Sequence, residues 1–577
     1  MGAEMNGGSP RLSNGHGPGS SELLGNRQLI NRVEYIRVLQ QGLHRLGYAG
    51  VAEQLQRQSG VEMQPTHVTA FQEAILGGHW AQAQQLLPQL SSDAATLAQA
   101  QFWVLRQKYI EALDAGDMAA ALHTLRTELA PLHVNQPELR ALAGMLLRSP
   151  SDGAAGAVAV TGGGELASWG QGPAATRPAL VASLQRLLPP TLMVPDGRLE
   201  QLVEQALDSQ VARCTYHNMA PRSLSLLHDY QAGIEQLPTH FAQALEAHDN
   251  EVWHVVFSHN GLLLGSASRD GTAIIWRVKA TGEATLQHRL QGHDKPLCFL
   301  AFSPDDSLLL TCGNDPVVKL WSVVTGRLHH TYAYHSHQVT SVAWMPDGRR
   351  FLSSSLDKTV LMCDTDGNRL RRYHLQRVND MVLAADGRTL VTVACEHKIR
   401  LMRLHESREA YTLTEGPAIT SLAVSPDGAY LIAHLVSHTL QLWPLAPVLQ
   451  RLDAAPAINA VAPDEEVPIA GMPHSPAMEY KVDQGRPGRF IIRSCFGGAD
   501  CTFVAGGSED CRVHIWHRAT GDLLAQLEGH SGTVNSVAWN PTNPFMLASA
   551  SDDHTVRIWL APVALGPGGS PLVQQHA

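Results

Sequence analysis

Apolar and polar residues alternate with a period of two in short runs through the C-terminal half of the chain, which predicts β-strands rather than helices. The clearest example lies between Gly529 and Trp559, where three such strands are separated by turns rich in Asn, Pro and Asp. The last strand of the example ends on Trp559. The same frame recurs upstream, so a repeated strand unit organises this part of the chain.

The repeat occurs in seven copies. A good copy opens on His, places an Asp in the turn before its third strand and ends that strand on Trp. A period of roughly 40–45 residues with these features is typical of WD-repeat propeller blades. Three copies deviate: the third ends on Cys363, the fourth has Glu396 in the turn and ends on Met402, and the fifth has Ser437 in the turn. The sequence therefore predicts one seven-bladed β-propeller.

The repeated His, Asp and Trp have a spacing that suits a buried hydrogen-bond relay. The Asp can accept from the His, which connects through a Ser or Thr of the second strand to the indole N–H. Because a catalytic triad occupies one site rather than a periodic one, we predict a structural role. The residues assigned to this relay are His248, Asp270, Trp276, His293, Asp315, Trp321, His335, Asp357, Asp510, Trp516, His530, Asp553 and Trp559.

A ring of blades must close, because an open ring leaves unpaired strand edges. Phe241–Leu245 precedes His248 as Leu523–Leu527 precedes His530, so we expect Phe241–Leu245 to supply the outer strand of the last blade. The proline-rich stretch 452–487 interrupts the period and is predicted to be a disordered insertion between blades five and six.

The N-terminal part instead shows helical periodicity. Five apolar residues share one face of a first helix, which a second short helix follows: Leu29, Val33, Ile36, Leu43 and Leu46. Two short helices bury little surface alone, so we predict that this face forms a homodimer interface, with packing inside the same chain as the alternative. Further along, similar Ala-rich segments follow Gly78 and Gly116, which predicts a repeated αα-hairpin.

The predicted fold class is an α plus all-β multidomain protein, with an N-terminal helical module followed by a single seven-bladed propeller. The predicted parts are a disordered tail at 1–25, a helix pair at 27–60, a helical domain at 66–215 with a mobile loop at 149–177, a linker at 216–238, the propeller at 239–561 and a disordered tail at 562–577.

Length, charge and cysteine usage exclude several classes of protein. A chain of 577 residues is too long for one core. Its net charge of -10 argues against a nucleic-acid coat. Its 8 cysteines lack framework spacing, which fits a reducing compartment. No apolar run is long enough to span a bilayer. We expect a cytoplasmic protein, with the nucleus as an additional location.

Known catalytic and metal-binding patterns are missing from the sequence. No HExxH, GxSxG, phosphate-loop or RING-like pattern occurs. Cysteines and histidines cluster in the sixth copy, but their irregular spacing does not suit a tetrahedral zinc site. That cluster comprises Cys495, Cys501, Cys511, His514 and His517. We therefore expect no catalytic residues, no cofactor and no metal in this chain.

Two surfaces are candidates for partner binding. The residues that directly precede the turn Asp of each copy should lie on the propeller rim, namely Arg269, Asn314, Leu356, Glu509 and Asp552. Blades three and four also carry an excess of basic residues. Within it, Arg369, Arg371 and Arg372 are predicted to dock an acidic segment of a substrate or sister subunit, with an ordinary solvated surface as the alternative.

Several stretches resemble a known family. Residues 39–60 resemble a LisH motif, and residues 66–87 and 107–132 resemble a CTLH domain. The order LisH, CTLH and one propeller is similar to WD-repeat proteins of the WD-repeat protein twenty-six type, the counterpart of the seventh subunit of the yeast GID ubiquitin ligase. The resemblance implies a non-catalytic scaffold and substrate receptor of a GID/CTLH-type E3 ligase, which promotes ubiquitination and proteasomal degradation of its targets. It also implies partners among LisH–CTLH and RING subunits.

Three other classes remain open. A LisH–CTLH corepressor of the plant Topless type is much longer and has two propellers. A dynein-regulating LisH propeller protein has a coiled coil where this chain has αα-hairpins. A receptor for a cullin-four ligase would favour a Trp-Asp-x-Arg box at a blade end, whereas the blade-ending Trp residues here are followed by Arg, Ser, Pro, His or Leu.

Overall fold

The computed structural model divides into two compact units, residues 1–209 and 210–577, and each is described by itself. It describes residues 23–24, 28–91, 93–145, 173–189, 193–218, 224–375, 377–394, 397–405, 408–414, 417–454, 475–482, 488 and 490–564. The predicted tail at 1–25, most of the loop at 149–177, the turn residue Glu396 and most of the tail at 562–577 lie outside these residues.

The first unit opens with a small hairpin of strands β1 (Leu23–Leu24) and β2 (Ile30–Asn31), followed by helices α1 (Arg32–Arg45) and α2 (Ala49–Ser59). The side chain of Asn31 caps α1 by accepting from the backbone N–H groups of Val33 and Glu34. The two helices correspond to the predicted helix pair.

The rest of the first unit is also helical. Its helices are α3 (Thr66–Gly77), α4 (Trp80–Leu86), α5 (Ala94–Asp114), α6 (Met118–His123), α7 (Gln136–Met145), α8 (Pro173–Leu187) and α9 (Arg198–Arg213), of which residues 210–213 belong to the second unit. A π-helical turn, Thr124–Leu129, extends α6. Gly78 and Gly116 end α3 and α5 with positive φ angles of 76° and 75°, which glycine adopts without steric cost. The structure thus has the predicted repeated hairpin. No helix among the described residues is long and apolar enough to span a lipid bilayer.

The second unit is a ring of seven four-stranded antiparallel sheets. Blade one has β4 (Val252–Phe257), β5 (Leu263–Ser268), β6 (Ala273–Val278) and β7 (Ala284–Leu290). Blade two has β8 (Leu297–Phe302), β9 (Leu308–Gly313), β10 (Val318–Ser322) and β11 (Leu328–Tyr332). Blade three has β12 (Val339–Trp344), β13 (Arg350–Ser355), β14 (Thr359–Asp364) and β15 (Arg369–His374). Blade four has β16 (Val378–Leu383), β17 (Thr389–Ala394), β18 (Lys398–Arg403) and β19 (Arg408–Thr414).

Three further blades complete the ring. Blade five has β20 (Ile419–Val424), β21 (Tyr430–Leu435), β22 (Thr439–Pro444) and β23 (Met478–Lys481), with helix α10 (Ala446–Ala454) between its last two strands. Blade six has β24 (Ser494–Gly497), β25 (Phe503–Gly506), β26 (Val513–His517) and β27 (Leu523–Leu527). Blade seven has β28 (Val534–Trp539), β29 (Met546–Ser551) and β30 (Val556–Leu560).

The fourth strand of blade seven comes from the other end of the propeller sequence. Strand β3 (His240–Leu245) pairs antiparallel with β30, and His240 lies opposite Leu560. Leu245 is buried among the apolar side chains of blades seven and one. The predicted closing strand is therefore confirmed, and the seven inner strands contact one another in a complete ring.

Two expectations about connecting segments are corrected, and the predicted linker gains a packing contact. The predicted insertion 452–487 contains strand β23, whose Tyr480 is buried and donates its hydroxyl to the Arg518 carbonyl at 2.7 Å. Helix α8 begins at Pro173 within the predicted loop, because Thr176 and Arg177 bond to α5. The predicted linker is packed on the propeller: the Asn218 amide is fully buried and donates to the Pro544 carbonyl at 2.8 Å.

Candidate functional site

The structure brings the His and Asp of four blades together, and in three of them the relay continues to the Trp in the order that the repeat suggests. In blade seven, His530 Nδ1 lies 2.8 Å from Asp553, and its Nε2 lies 2.8 Å from Ser549 Oγ, which accepts from Trp559 Nε1 at 2.9 Å. Blade one repeats this arrangement through Ser266, and blade two through Thr311. In blade three the relay stops at Ser353, because Cys363 replaces the Trp.

The Asp side chains in the turns of this network are stabilised in their ionised form. Burial opposes ionisation of Asp357, but hydrogen bonds from Thr359 and His335 outweigh it and lower the pKa of Asp357 to about 2. The same combination also lowers the pKa values of Asp270 and Asp553. These groups are therefore ionised and fully engaged at neutral pH, as suits structural residues.

Blades five and six depart from the pattern. In blade six, Asp510 bonds to His514 of the third strand at 2.9 Å, and Gly506 occupies the position of the relay hydroxyl. Trp516 therefore joins the core without that hydroxyl link. In blade five, Ala433 takes the hydroxyl position, and the buried Trp443 indole nitrogen has no hydrogen-bond partner among the described residues. The spacing alone did not reveal that His514 would bind Asp510.

The predicted rim residues all lie at the turns between second and third strands, which share one face of the ring. Arg269 pairs with Glu251 at 2.6 Å, and Glu251 also accepts from Trp253. Asp552 accepts from Asn535 at 2.7 Å. Burial, opposed by this bond, raises the pKa of Asp552, and the neighbouring Glu251 adds to the rise. Glu509 accepts from the Phe490 backbone, while Asn314 and Leu356 are half-buried.

A buried ion pair crosses the centre of the ring, and the sequence reasoning missed it. Arg493, directly before blade six, pairs with Asp380 of blade four at 3.0 Å. The side chains are only 12% and 2% exposed. The guanidinium also lies 4.5 Å over the ring of Phe299 in blade two, which stacks on His254 of blade one. The sequence feature that indicates this pair is Asp380, a charged residue within the otherwise uncharged strand β16.

The three predicted basic residues on β15 are exposed and differ in their neighbours. Arg371 donates to the Leu404 carbonyl of blade four at 3.3 Å. Arg369 instead lies over the ring of Tyr334, 5.8 Å away, and Arg372 is exposed. Of the three, only Arg371 lines a cavity of ≈ 460 Å³ between blades three and four. The docking of an acidic segment by these three residues therefore stays a prediction, and one of the three lies at a cavity.

The residues of the predicted homodimer interface differ in their exposure to solvent. Ile36 is buried and Leu43 is half-buried. Gly42 of α1 lies so close to Leu199 of α9 that an added Cβ would approach its Cδ2 to 2.6 Å. The remaining members are open to solvent: Leu29, Val33 and Leu46 are 76%, 37% and 67% exposed. One side of α1 thus packs inside the unit. The prediction of one helical face is corrected, because Leu29 precedes the helix and Leu46 follows it, and only Val33 of the exposed members lies in α1.

A buried histidine in blade five gives a prediction for pH dependence. Burial lowers the pKa of His434 to about 3, and the charge of His438 contributes. Between about pH 6.5 and pH 3, His434 is protonated in the unfolded chain and neutral in the folded chain. The free energy of unfolding therefore falls as the pH decreases through this range, by about 1.4 kcal/mol per pH unit. We expect His434→Gln to flatten denaturant-midpoint profiles between pH 6.5 and 4.

The matched control for this measurement is His329→Gln, which removes one exposed imidazole. It should leave the profile of the parent chain unchanged. A His434→Gln profile parallel to that of the parent chain would contradict the assignment.

Comparisons with known proteins agree with this architecture. Residues 21–65 match the WDR26 Lis-homology domain, and residues 240–277, 284–322, 326–364 and 521–559 match the WD domain, G-beta repeat. A WD repeat-containing protein 26 homolog of Arabidopsis thaliana is 36% identical over 94% of this chain and 86% of its own. A Drosophila melanogaster homolog of the same name is 30% identical over 96% and 85%. The GID complex subunit 7 of Schizosaccharomyces pombe is 34% identical over 92% and 97%.

Proposed function

Because the chain belongs to the family of WD repeat-containing protein 26 and GID complex subunit 7, we propose that it is a non-catalytic scaffold and substrate-receptor subunit of a GID/CTLH-type E3 ubiquitin ligase. In this role it holds a target protein near a charged conjugating enzyme, which promotes ubiquitination and degradation of that target. The contribution is effective concentration rather than chemistry in this chain. The observation that carries the proposal is near full-length similarity to a named GID subunit.

The N-terminal helices supply a surface for assembly. Leu46, Tyr48 and Val51 lie at or next to the turn between α1 and α2 and are 67%, 59% and 51% exposed, and Leu29 before α1 is 76% exposed. Apolar side chains grouped in this way are commonly covered by another protein. We assign this surface to a second copy or to a sister LisH–CTLH subunit that carries the RING module.

The rim supplies a surface for the target. The five predicted rim residues include two acidic side chains, Glu509 and Asp552, and one basic side chain, Arg269, which pairs with Glu251 at 2.6 Å. This balance favours a target segment that carries Lys or Arg. Assembly and target capture therefore use separate parts of the chain.

Affinity purification of the tagged full chain tests the proposal. We expect mass spectrometry to find RING-containing LisH–CTLH proteins, and the purified assembly to ubiquitinate when a conjugating enzyme is added. The double variant Leu29→Asp, Leu46→Asp should lose these partners, because charges at an apolar interface are desolvated without compensation. Leu227→Asp, at a site 95% exposed outside this surface, is the matched control.

Recovery of histone deacetylases in place of RING proteins would instead support a corepressor. A chain that purifies without any LisH–CTLH partner would contradict the assembly role.

A further inference from the structure

The cavity between blades three and four lies at the strand ends opposite to the predicted rim. It is bounded by the turns after the first strands of both blades, by the outer strand β15 and by the turn after β18. The turns touch closely: a Cβ on Gly387 would lie 2.7 Å from Pro346. This position separates the cavity from the rim residues and from the relays.

The floor of the cavity is apolar. Met345, Met362, Tyr373 and Leu404 line it and are almost fully buried, while Leu370 at its mouth is 45% exposed. The Tyr373 hydroxyl donates to the Leu404 carbonyl at 3.2 Å, which fixes β15 against blade four. The floor therefore offers apolar contact for one or two side chains of a partner.

The charged groups around the floor are not equally available. Asp347 bonds to Arg350 at 2.5 Å and accepts two backbone N–H groups. Asp386 accepts the backbone N–H groups of Arg388 and Thr389. Both carboxylates are thus engaged by their own turns.

Two arginines remain available around the same floor. Arg371 donates one N–H to the Leu404 carbonyl, and a guanidinium has five N–H donors. Arg388 is exposed. The cavity therefore presents cationic donors beside an apolar floor.

We propose that this cavity binds a short acidic peptide segment of a partner protein. The residues expected to contact the segment are Met345, Met362, Leu370, Arg371, Tyr373 and Arg388. Carboxylates of the segment pair with Arg371 and Arg388, for which the planar guanidinium is well suited. An apolar side chain beside them enters the floor. A basic segment would meet like charge, and a wholly apolar one would leave the arginines desolvated and unpaired. The inference goes beyond the proposed function, since it concerns the face that the rim does not use.

Selection of a random peptide library on the full chain tests this inference. We expect the recovered peptides to combine Asp or Glu with an apolar residue, and a fluorescent copy of one recovered peptide to bind more weakly as salt increases. Arg388→Glu should weaken that binding by about tenfold or more, because it replaces an attractive charge by a repulsive one. Arg388 is exposed, so the variant should fold.

The matched control is Arg369→Glu. It makes the same charge change on β15, but Arg369 lies over Tyr334 and outside the cavity. Binding to this variant should be nearly unchanged. Recovery of basic or wholly apolar peptides, equal weakening by both substitutions, or undiminished binding to Arg388→Glu would overturn the proposal. So would a change in oligomeric state with Arg388→Glu, which would assign the cavity to a second copy.

Discussion

Replacement of Asp380 by Ala is expected to destabilise the propeller by about 3–5 kcal/mol, because it leaves the buried Arg493 guanidinium without its counter-ion. Asp380 also accepts the backbone N–H of Leu422 at 3.0 Å, so the substitution removes a link between blades four and five as well. The expected result is a clearly lower denaturant midpoint of the full chain, followed by tryptophan fluorescence.

A double variant distinguishes the effect of leaving Arg493 buried without its counter-ion from the effect of removing the Asp380 side chain. Asp380→Leu with Arg493→Met replaces both charges by apolar groups, and such exchanges are often neutral or stabilising. We expect it to recover most of the stability that Asp380→Ala loses. Asp522→Ala, at an exposed turn, is the control for loss of one carboxylate. An unchanged midpoint for Asp380→Ala would mean that the central ion pair contributes nothing.

Deletion of residues 240–245 is expected to have the largest effect on the propeller. Without β3, the third strand of blade seven becomes an unpaired edge, and the apolar contacts of Leu245 are lost. Gln243 also bonds to the backbone of Ala284 in blade one, at 2.8 and 3.1 Å, so the joint between the first and last blades weakens too. We expect a much lower melting temperature and association through the exposed edge.

A synthetic peptide of residues 239–246, added in trans, should restore part of the lost stability. His240→Ala, at an exposed position of the same strand, is the matched control and should melt like the parent chain. If the deleted protein melted at the temperature of the parent, the closing role of β3 would be wrong.

The repeat made the propeller predictable from the sequence. Each blade has its own strands of period two, and the fixed spacing of residues such as His530, Asp553 and Trp559 indicates where those strands lie. The closing strand was found because Phe241–Leu245 resembles the outer strand of blade six. The blades and the closing strand could be predicted because the pattern lies within one repeat or in the similarity between two repeats.

Features that join distant repeats were not predictable in this way. Asp380 and Arg493 belong to blades that are not neighbours, and no local spacing relates them. Strand β23 is separated from the rest of blade five by a proline-rich stretch, so the sequence pattern does not distinguish its short alternation from the insertion. The arginines of β15 have different neighbours, and a register shift that the spacing does not show separates Arg369, opposite Cys363, from Arg371, opposite Met362.

The pairing of His240 with Leu560 also constrains biosynthesis. Strand β3 leaves the ribosome before any complete blade, whereas its partner is among the last propeller residues to be translated. The nascent chain therefore cannot complete its final sheet until translation of the propeller is nearly finished, and contacts of such high sequence separation form slowly. Products of premature termination before Leu560 would retain an unmatched β3 and are expected to be substrates for chaperones and proteases.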